Sequence, residues 1–404
     1  MLSSDKSMVE ALTQETSQMM QCDAYGGLCQ RAWVEIDLMA LAHNVREIKG
    51  ILSPQTDLMA VVKADAYGHG ASTVAQVALD AGATWLGVAT IPEGIELRQS
   101  GITAPILVLG ATHTPQQVDA IAYWQLQPTL CTPKQALVFS EVLHHKNQIL
   151  PVHIKIDTGM SRLGIPWQDA AQFVQLVHRL PNLQIASIYS HFATADSPNE
   201  TVMRQQQKCF DDAMESLQST GIKLPRLHLA NSAATLRDRG LHYNMVRVGL
   251  ANYGLYPAPH LSAKVDLKPV LQVKAKVTQV KTIAKGTGVS YGHKFIAQKE
   301  TQIAVIGIGY ADGIPRNLSN QMKVLLRGNF VPQIGAITMD QIMIDVTEIP
   351  DVEVGEVVTL LGKQGEKSIS AEDWAQTLGT ISWEILCGFK HRLPRVTVRS
   401  LSQG

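Results

Sequence analysis

The stretch that decides the fold is Leu58-Met59-Ala60-Val61-Val62-Lys63, in which five apolar residues lead directly into a lysine. A short, uninterrupted apolar run is typical of a strand that is buried on both faces, as in a parallel sheet. A lysine at the end of such a strand is costly to desolvate unless it is paired or used covalently, although its amine can also reach past the strand end into solvent. The stretch therefore predicts a buried strand that delivers an amine to one edge of a sheet.

Similar apolar runs recur along the chain and alternate with segments of helical period, such as Ser72–Ala81, Pro92–Ser100 and Glu200–Ser219. After a leading strand at Trp33–Leu38, eight strands are predicted at Leu58–Lys63, Trp85–Thr90, Pro105–Gly110, Gln127–Cys131, Val152–Asp157, Ile185–His191, Leu227–Asn231 and Met245–Leu250. Eight βα units in roughly 250 residues match a (β/α)₈ TIM barrel, and a doubly wound sheet is the rival arrangement.

The rhythm changes past about Leu267 to strands joined by short turns. These predicted strands are Val270–Lys281, Gly288–Gly292, Ile303–Tyr310, Lys323–Val331, Ala336–Val346, Glu356–Leu361 and Arg395–Arg399, with a capping box at Ser370 and Asp373 that opens a helix through Leu378. The predicted fold class is α/β plus β. Residues 31–268 form the barrel, residues 269–404 form a mainly-β domain, and residues 1–30 are an extension that we expect to be poorly ordered.

The composition of the chain excludes several classes of function. The 404 residues contain 35 Lys and Arg against 35 Asp and Glu, so the basic footprint of a nucleic-acid-binding protein is missing. The five cysteines have no metal-ligand spacing, which suits a reducing compartment and gives no metal site. Neither a secretory signal nor a membrane span is predicted. We therefore expect a cytoplasmic protein that acts on a small molecule.

Polar residues stand at the ends of the predicted barrel strands, where catalytic groups of such barrels lie. They are Lys63, Lys155, Asp157, His191, Asn231 and Ser232, and Arg247 interrupts the eighth strand. Burial and a neighbouring cation would lower the pKa of Lys63 and make its amine a nucleophile toward an aldehyde. The segment 231–235 and the turn at Gly249 follow strands seven and eight, where many barrels bind phosphate, although an ordinary polar loop with a helix cap is the alternative. Together these signals suggest a phosphorylated aldehyde held as a Schiff base.

These residues lie in strings that resemble the alanine racemase family. The most specific string is Val61-Val62-Lys63-Ala64-Asp65-Ala66-Tyr67-Gly68-His69-Gly70, which resembles the family's cofactor-lysine motif. Further matching segments, in order, are 155–164, 191–196, 231–234, 246–249, 289–292, 309–313 and 339–341, so that the likeness spans about residues 31 to 396.

The resemblance implies a pyridoxal-phosphate-dependent racemase of alanine that supplies D-alanine for peptidoglycan synthesis. It implies that Lys63 carries the cofactor and exchanges a proton on one face of the substrate carbon, and that Tyr291 does so on the other face. Racemisation needs two such groups because a proton removed from one side must be returned from the opposite side. In the family the tyrosine comes from the neighbouring subunit, so the resemblance also implies a homodimer with shared sites.

The remaining roles are likewise implied by the resemblance. Arg247 would donate a hydrogen bond to the pyridine nitrogen and leave it unprotonated. Tyr67, Ser232, Gly249 and the backbone N–H of Leu250 match phosphate contacts, with Asn231 beside them. Arg162 and the backbone N–H of Met339 match contacts to the substrate carboxylate. His191 would lie beside the cofactor ring or Tyr291, Asp340 would brace its loop, and Lys155 stands where some members carry a carbamylated lysine. Tyr310, Asp196, Arg316 and Ile381 resemble residues of the entry channel.

Two positions depart from the family pattern. Trp383 stands where a tyrosine usually reaches the phosphate, and an indole offers one donor and no acceptor. Ala336 stands where some members have an arginine. The bulk of Trp383 still favours a small substrate such as alanine, with serine or a broader set of amino acids as the alternative. A non-catalytic cofactor-binding barrel and a related decarboxylase are the other readings, and Tyr291 and Arg247 respectively speak against them.

Overall fold

The computed structural model describes residues 31–389 and 391–398. The predicted N-terminal extension, residues 1–30, lies outside the described residues. Among those described, no helix combines the length and apolar character that crossing a membrane requires.

Eight parallel strands form the sheet that the sequence predicts. In the order of their pairing they are β10 (Met245–Val248), β2 (Asp57–Val61), β3 (Trp85–Val88), β4 (Ile106–Ala111), β5 (Gln127–Leu130), β6 (Leu150–Asp157), β8 (Leu183–Tyr189) and β9 (Arg226–His228). The two end strands approach each other, since Asn244 N–H donates to the Leu227 carbonyl at 3.0 Å and Arg247 N–H to the Ala230 carbonyl at 3.0 Å. The sheet is thus a nearly closed barrel, which confirms the predicted (β/α)₈ class and excludes the doubly wound rival.

Helices connect the barrel strands, and local sequence explains where several begin. They are α1 (Leu38–Ile51), α2 (Ala71–Asp80), α3 (Ile91–Gln99), α4 (Pro115–Tyr123), α5 (Pro133–His145), α6 (Ala170–His178), α7 (Thr201–Gln218) and the short α8 (Ser232–Arg237). Thr114 and Thr132 each precede a proline and accept a hydrogen bond from the backbone three residues on. Threonine at the cap and proline in the first turn are favoured there because the hydroxyl pairs an otherwise free N–H and proline lacks one.

Side chains fill the barrel interior. Met59, Trp85, Leu107, Tyr189 and Met245, from five of the strands, form one buried cluster. The barrel interior is therefore a packed core rather than a channel, and a ligand of such a barrel would lie at the strand ends.

A second sheet accounts for the mainly-β half. Seven of its nine strands come from this half: β11 (Leu271–Ile283), β14 (Thr301–Ile306), β15 (Lys323–Leu326), β16 (Asn329–Ile334), β17 (Ile342–Asp345), β18 (Val357–Gln364) and β19 (Lys367–Ile369). They pair in the order β19-β18-β15-β16-β17-β14-β11. Because β18 also pairs with β11, the six strands from β18 to β11 form a closed ring. Antiparallel strands with short turns produce this closure. A small separate ribbon pairs β12 (Gly288–Val289) with β13 (Phe295–Ile296).

Two of the predicted strands contain chain reversals in the structure. The single strand predicted at Lys323–Val331 is a hairpin, because Arg327 and Gly328 both have positive φ and turn the chain. The strand predicted at Gly288–Gly292 ends at Val289, because Ser290 has φ 62° and starts the turn that carries Tyr291. The reversal at Ser290 leaves little signal, because serine is not a typical left-handed residue, whereas Gly328 followed by Asn329 is a turn signal for the hairpin.

The chain divides into two compact units. Among the described residues, one contains Glu35–Gln272, Gly379–Phe389 and Arg395–Val398, and the other contains Val273–Leu378 with residues 31–34 and 391–394. The remaining elements are α9 (Ala371–Leu378), which the capping box of Ser370 and Asp373 opens as predicted, α10 (Ser382–Gly388), β1 (Ala32–Asp37), the two-residue β7 (Ile165–Pro166) and β20 (Arg395–Val398). The segment with α10 is assigned to the same unit as the barrel, although it is distant in sequence.

Candidate active site

The barrel unit holds a cavity of about 490 Å³ at the C-terminal ends of its strands. Its lining includes most of the residues that the sequence singled out in this part of the chain: Lys63, Tyr67, Lys155, Arg162, His191, Asp196, Asn231, Ser232, Arg247, Gly249, Leu250 and Trp383. Four of these side chains are cationic and one is acidic. The cavity is thus built for an anionic ligand.

Lys63 begins a rare backbone conformation. Strand β2 ends at Val61, and the four residues Ala64–Tyr67 that follow Lys63 all have φ between 52° and 56°. Left-handed backbone costs roughly 1–2 kcal/mol for each residue with a Cβ atom, so such a run persists only where its surroundings enforce it. This left-handed turn, Lys63–Gly68, places both Lys63 and Tyr67 on the cavity.

Two carboxylates hold the left-handed turn. Glu93, in the first turn of α3, accepts from Ala64 N–H at 2.8 Å and from the backbone N–H groups of Ala89 and Thr90 at 2.7 and 3.0 Å. Asp65 accepts from Ala71 N–H at 2.8 Å, at the start of α2. Glu93 therefore satisfies a backbone donor of the turn itself, and Asp65 ties the turn to the first residue of α2.

The amines that face the cavity are shifted toward their neutral forms. Burial, and then the charge of Arg162, lower the pKa of Lys63 from its ordinary value. Burial lowers the pKa of Lys155 well below its ordinary value, with Arg247 and Arg162 adding to the effect, and its Nζ lies 4.2 Å from the centre of the Tyr189 ring. A larger neutral fraction makes the Lys63 amine a better nucleophile.

Arg247 is buried in β10 and is held without an acidic partner. Its Nη1 donates to His228 Nδ1 at 3.0 Å and its Nη2 to His191 Nδ1 at 3.1 Å, and carbonyls of Ser190 and Leu229 accept from Nη2. Among the described residues no carboxylate pairs with it. Burial lowers the pKa of Arg247 to about 10, so it stays charged near neutral pH. Burial and Arg247 keep the pKa of His191 well below its ordinary value, so its ring is neutral.

Tyr67, Ser232 and Gly249 form a small cradle at another part of the cavity. A Cβ atom on Gly249 would lie 2.5 Å from the Tyr67 hydroxyl, so only glycine permits this approach. Ser232 Oγ accepts from Gly249 N–H at 3.1 Å, and Asn231 caps α8 by accepting from Ala234 N–H at 3.0 Å. The Tyr67 and Ser232 hydroxyls thus both lie against Gly249, and two neighbouring hydroxyls at a helix start suit a phosphate group.

The loop that carries Arg162 is anchored to its strand. Asp157, the last residue of β6, accepts from the N–H groups of Gly159, Met160 and Ser161 at 2.9–3.1 Å. Gly164 has φ 120°, and a Cβ atom there would lie 2.7 Å from the Asp157 backbone nitrogen. The predicted polar strand end Asp157 therefore shapes the loop, while Arg162 lines the cavity.

Helix α10 contributes Trp383 and Cys387 to the lining. The indole thus lies on the cavity at the position where the sequence departs from the family pattern. Asp196 also lines the cavity, whereas Ile381 is exposed just before α10.

The other predicted site residues belong to the second unit. Tyr291 lies in the turn after β12 and is 72% exposed. Met339 lies in a loop and is 53% exposed, and its own carbonyl oxygen accepts from Ala311 N–H at 3.0 Å. Asp340 Oδ1 accepts a hydrogen bond from Arg392 Nη2 at 2.7 Å. Tyr310 and Arg316 lie in short 3₁₀ turns of the same unit.

Sequence analysis missed several residues around the cavity. Glu93 had a detectable signal, because Thr90 and Glu93 have the spacing of a capping box. His228 and Tyr189 looked like ordinary strand residues, yet their rings stack at 4.7 Å beside Arg247. Cys387 had no signal, since only the return of the chain through α10 brings it to the barrel.

The chain is similar to known proteins over most of its length. Residues 36–257 match the family model "Alanine racemase, N-terminal domain" and residues 270–397 match "Alanine racemase, C-terminal domain". Alanine racemase of a Nostoc species is 68% identical over 94% of this chain and 98% of its own, and that of a Synechocystis species is 63% identical over 91% and 99%.

Solved structures show the same likeness. The crystal structure of alanine racemase from Bacillus anthracis with bound L-Ala-P superposes with a TM-score of 0.87 at 37% identity, over 93% of this chain and 97% of that one. An alanine racemase of Clostridium difficile gives a TM-score of 0.88 at 34% identity, over 92% and 97%. This chain belongs to the alanine racemase family.

Proposed function

We propose that the protein interconverts L-alanine and D-alanine with pyridoxal phosphate as its bound cofactor. The proposal rests on Lys63, whose amine has a lowered pKa and lies on the cavity. The other cationic side chains of this cavity favour anionic groups of a ligand. The similarity to alanine racemases supports alanine as the substrate.

The residues present fit pyridoxal phosphate. The cradle of Tyr67, Ser232 and Gly249, with the adjoining N–H of Leu250, suits the phosphate, and a side chain on Gly249 would fill it. The hydrogen bonds that Arg247 makes to the described residues all leave from Nη1 and Nη2, so its Nε–H is available to the pyridine nitrogen. Because arginine keeps its proton, that nitrogen stays unprotonated. His191, neutral, and Asn231 complete this side of the cavity.

Lys63 and Tyr291 are proposed as the two groups that move the proton. When bound, pyridoxal phosphate supplies an aldehyde for an amine and a ring that withdraws electrons from the substrate carbon. Lys63 Nζ would hold the cofactor and take or return the Cα proton on one face, and Tyr291 Oη would do so on the opposite face. Tyr291 would come from a second copy of the chain, making the active unit a homodimer.

The substrate is held by its carboxylate and limited by its side chain. Arg162 and the backbone N–H of Met339 would bind the carboxylate, with Asp340 bracing the loop of Met339 and Lys155 supporting Arg162 if its amine is carbamylated. The bulky Trp383 on the cavity lining would favour a small side chain such as the methyl group of alanine, and serine or a broader substrate range is the alternative. The cytoplasmic location, the supply of D-alanine for peptidoglycan and the domain boundary near residue 268 stay predictions.

An amino-acid panel tests the activity. Purified protein loaded with pyridoxal phosphate should convert L-alanine to D-alanine faster than it converts serine, with chiral chromatography as the readout. Lys63→Ala should lose the yellow colour of the bound cofactor and reduce turnover by about a thousandfold or more. A yellow, active Lys63→Ala variant would contradict the assignment.

The second proton-transfer group has its own test. Tyr291→Phe removes the acid/base from one face only, so exchange of the Cα hydrogen with solvent deuterium should fall more for one enantiomer than for the other. Equal and small losses for both enantiomers would refute the two-base scheme.

A further inference from the structure

A chain of polar side chains runs through the barrel core from Gln127 to Arg247. Arg247 Nη1 lies 3.0 Å from His228 Nδ1, and His228 Nε2 lies 2.7 Å from Ser187 Oγ. Ser187 Oγ lies 2.6 Å from His153 Nδ1, and His153 Nε2 lies 2.7 Å from Gln127 Oε1. We call Gln127, His153, Ser187 and His228 the His228 chain. His153, Ser187 and His228 have no exposed surface, so each hydrogen bond must be satisfied within the protein.

The direction of every hydrogen bond follows from Arg247. A guanidinium only donates, so His228 Nδ1 must accept, and a neutral imidazole then carries its proton on Nε2. His228 Nε2–H donates to Ser187 Oγ, which leaves the single hydroxyl proton for His153 Nδ1. His153 therefore carries its own proton on Nε2 and donates it to Gln127.

The opposite end of the His228 chain agrees with this direction. The atom of Gln127 that faces His153 is the carbonyl oxygen Oε1, which only accepts. Burial, with Arg226 adding to it, lowers the pKa of His153 to about 3, and burial with Arg247 keeps the pKa of His228 well below its ordinary value. Both rings are thus neutral, and a protonated ring would reverse a link. Two independent ends demand the same pattern.

We propose that the His228 chain is a positioning device that fixes His228 as its Nε2–H tautomer and thereby fixes the Arg247 guanidinium for the cofactor ring. The inference rests on the proposed function, because it concerns the arginine assigned to the pyridine nitrogen. In the opposite tautomer His228 would present Nδ1–H to a guanidinium N–H, so the two donors would repel and Arg247 would lose this acceptor. Gln127, at the start of β5, lies at the far end of the barrel from the cavity, yet it sets this polarity.

Imidazole nitrogen shifts test the tautomers directly. The full chain, labelled with ¹⁵N-histidine and loaded with pyridoxal phosphate, should show a protonated Nε2 and an unprotonated, hydrogen-bonded Nδ1 for both His153 and His228. A protonated Nδ1 or a doubly protonated ring at His228 would overturn the proposal.

Matched variants test the consequence for the cofactor. Ser187→Ala removes the central link, so we expect mixed tautomers at His228 and pyridoxal phosphate affinity weakened about fivefold to tenfold, as for one lost hydrogen bond. Ser140→Ala makes the same change at another buried serine, on helix α5 outside the His228 chain and the cavity lining, so it should change neither readout.

Gln127, the half-buried end of the His228 chain, provides a second pair of variants that does not disturb the tightly packed core. Gln127→Leu removes the terminal acceptor and should give mixed tautomers at His153, whereas Gln127→Glu keeps an acceptor and should retain the Nε2–H tautomer. Unchanged tautomers and cofactor affinity in both Ser187→Ala and Gln127→Leu would overturn the positioning role. A wild-type protein that takes up no pyridoxal phosphate would refute the proposed function, while its imidazole shifts would still decide the polarity of the chain.

Discussion

Charge around the cavity explains how single side chains acquire their chemistry. Burial and the Arg162 charge lower the pKa of Lys63, and Arg247 adds positive charge to the same cavity. This arrangement disfavours one more proton on the amine and favours an anion in the cavity. The same positive charge therefore favours the neutral, nucleophilic form of the Lys63 amine and attracts the phosphate and carboxylate groups of the ligands.

Trp383 is the side chain whose replacement separates cofactor binding from substrate size. Trp383→Tyr introduces a hydroxyl that can donate to the phosphate, and a hydrogen bond to a charged group contributes about 1.5–3 kcal/mol. We therefore expect pyridoxal phosphate to bind about tenfold more tightly, with alanine racemisation retained. Titration of the apoprotein measures the affinity, and Trp383→Phe, which lacks the hydroxyl, is the control. Equal affinities for the tyrosine and phenylalanine variants would show that the hydroxyl reaches no phosphate.

The left-handed turn is the structural element on which the site depends. Its four consecutive residues with positive φ are unfavourable in isolation, so neighbouring elements must hold them. Glu93 from α3 does so through three backbone donors, one of which, Ala64 N–H, belongs to the turn. A strained turn held by an acid from the next helix couples the position of Lys63 to the packing of α3.

Glu93→Ala tests that coupling. Removing a charged acceptor from three backbone N–H groups should lower the free energy of unfolding by about 2 kcal/mol and weaken cofactor binding, because the turn carries both Lys63 and Tyr67. Urea unfolding and pyridoxal phosphate titration give the two values. Glu96→Ala, at an exposed position on the same helix, should leave both near wild type. If the Glu93 variant bound the cofactor normally, the turn would hold itself without this carboxylate.

The whole molecule raises the question of how Lys63 and Tyr291 meet, since they belong to different units of the chain. Tyr291 lies on an exposed turn, and its ring is available to a second copy. A symmetric dimer would exchange two such residues reciprocally, so that each site has contributions from both subunits.

Mixing two inactive variants tests the shared site. When Lys63→Ala and Tyr291→Phe chains are co-refolded, each heterodimer has one doubly altered site and one site with both wild-type residues. Random pairing then restores about a quarter of wild-type turnover per chain, because half of the dimers carry one intact site of two. Turnover before and after mixing is the measurement, with each variant mixed with itself as the control. No recovery, despite heterodimers detected by mass spectrometry, would place Tyr291 in the site of its own chain.

The sequence by itself determined the barrel, its strand positions and most of the barrel residues that line the cavity. It could do so because period-two and period-3.6 apolar patterns and the polar strand ends are local signals, and because the Lys63 string is specific to a family. Only the tertiary structure decided the left-handed turn with Glu93, the arrival of Trp383 and Cys387 through α10, and the His228 chain. Each of these depends on residues far apart in sequence whose conformations are enforced by packing, and no local pattern records that packing.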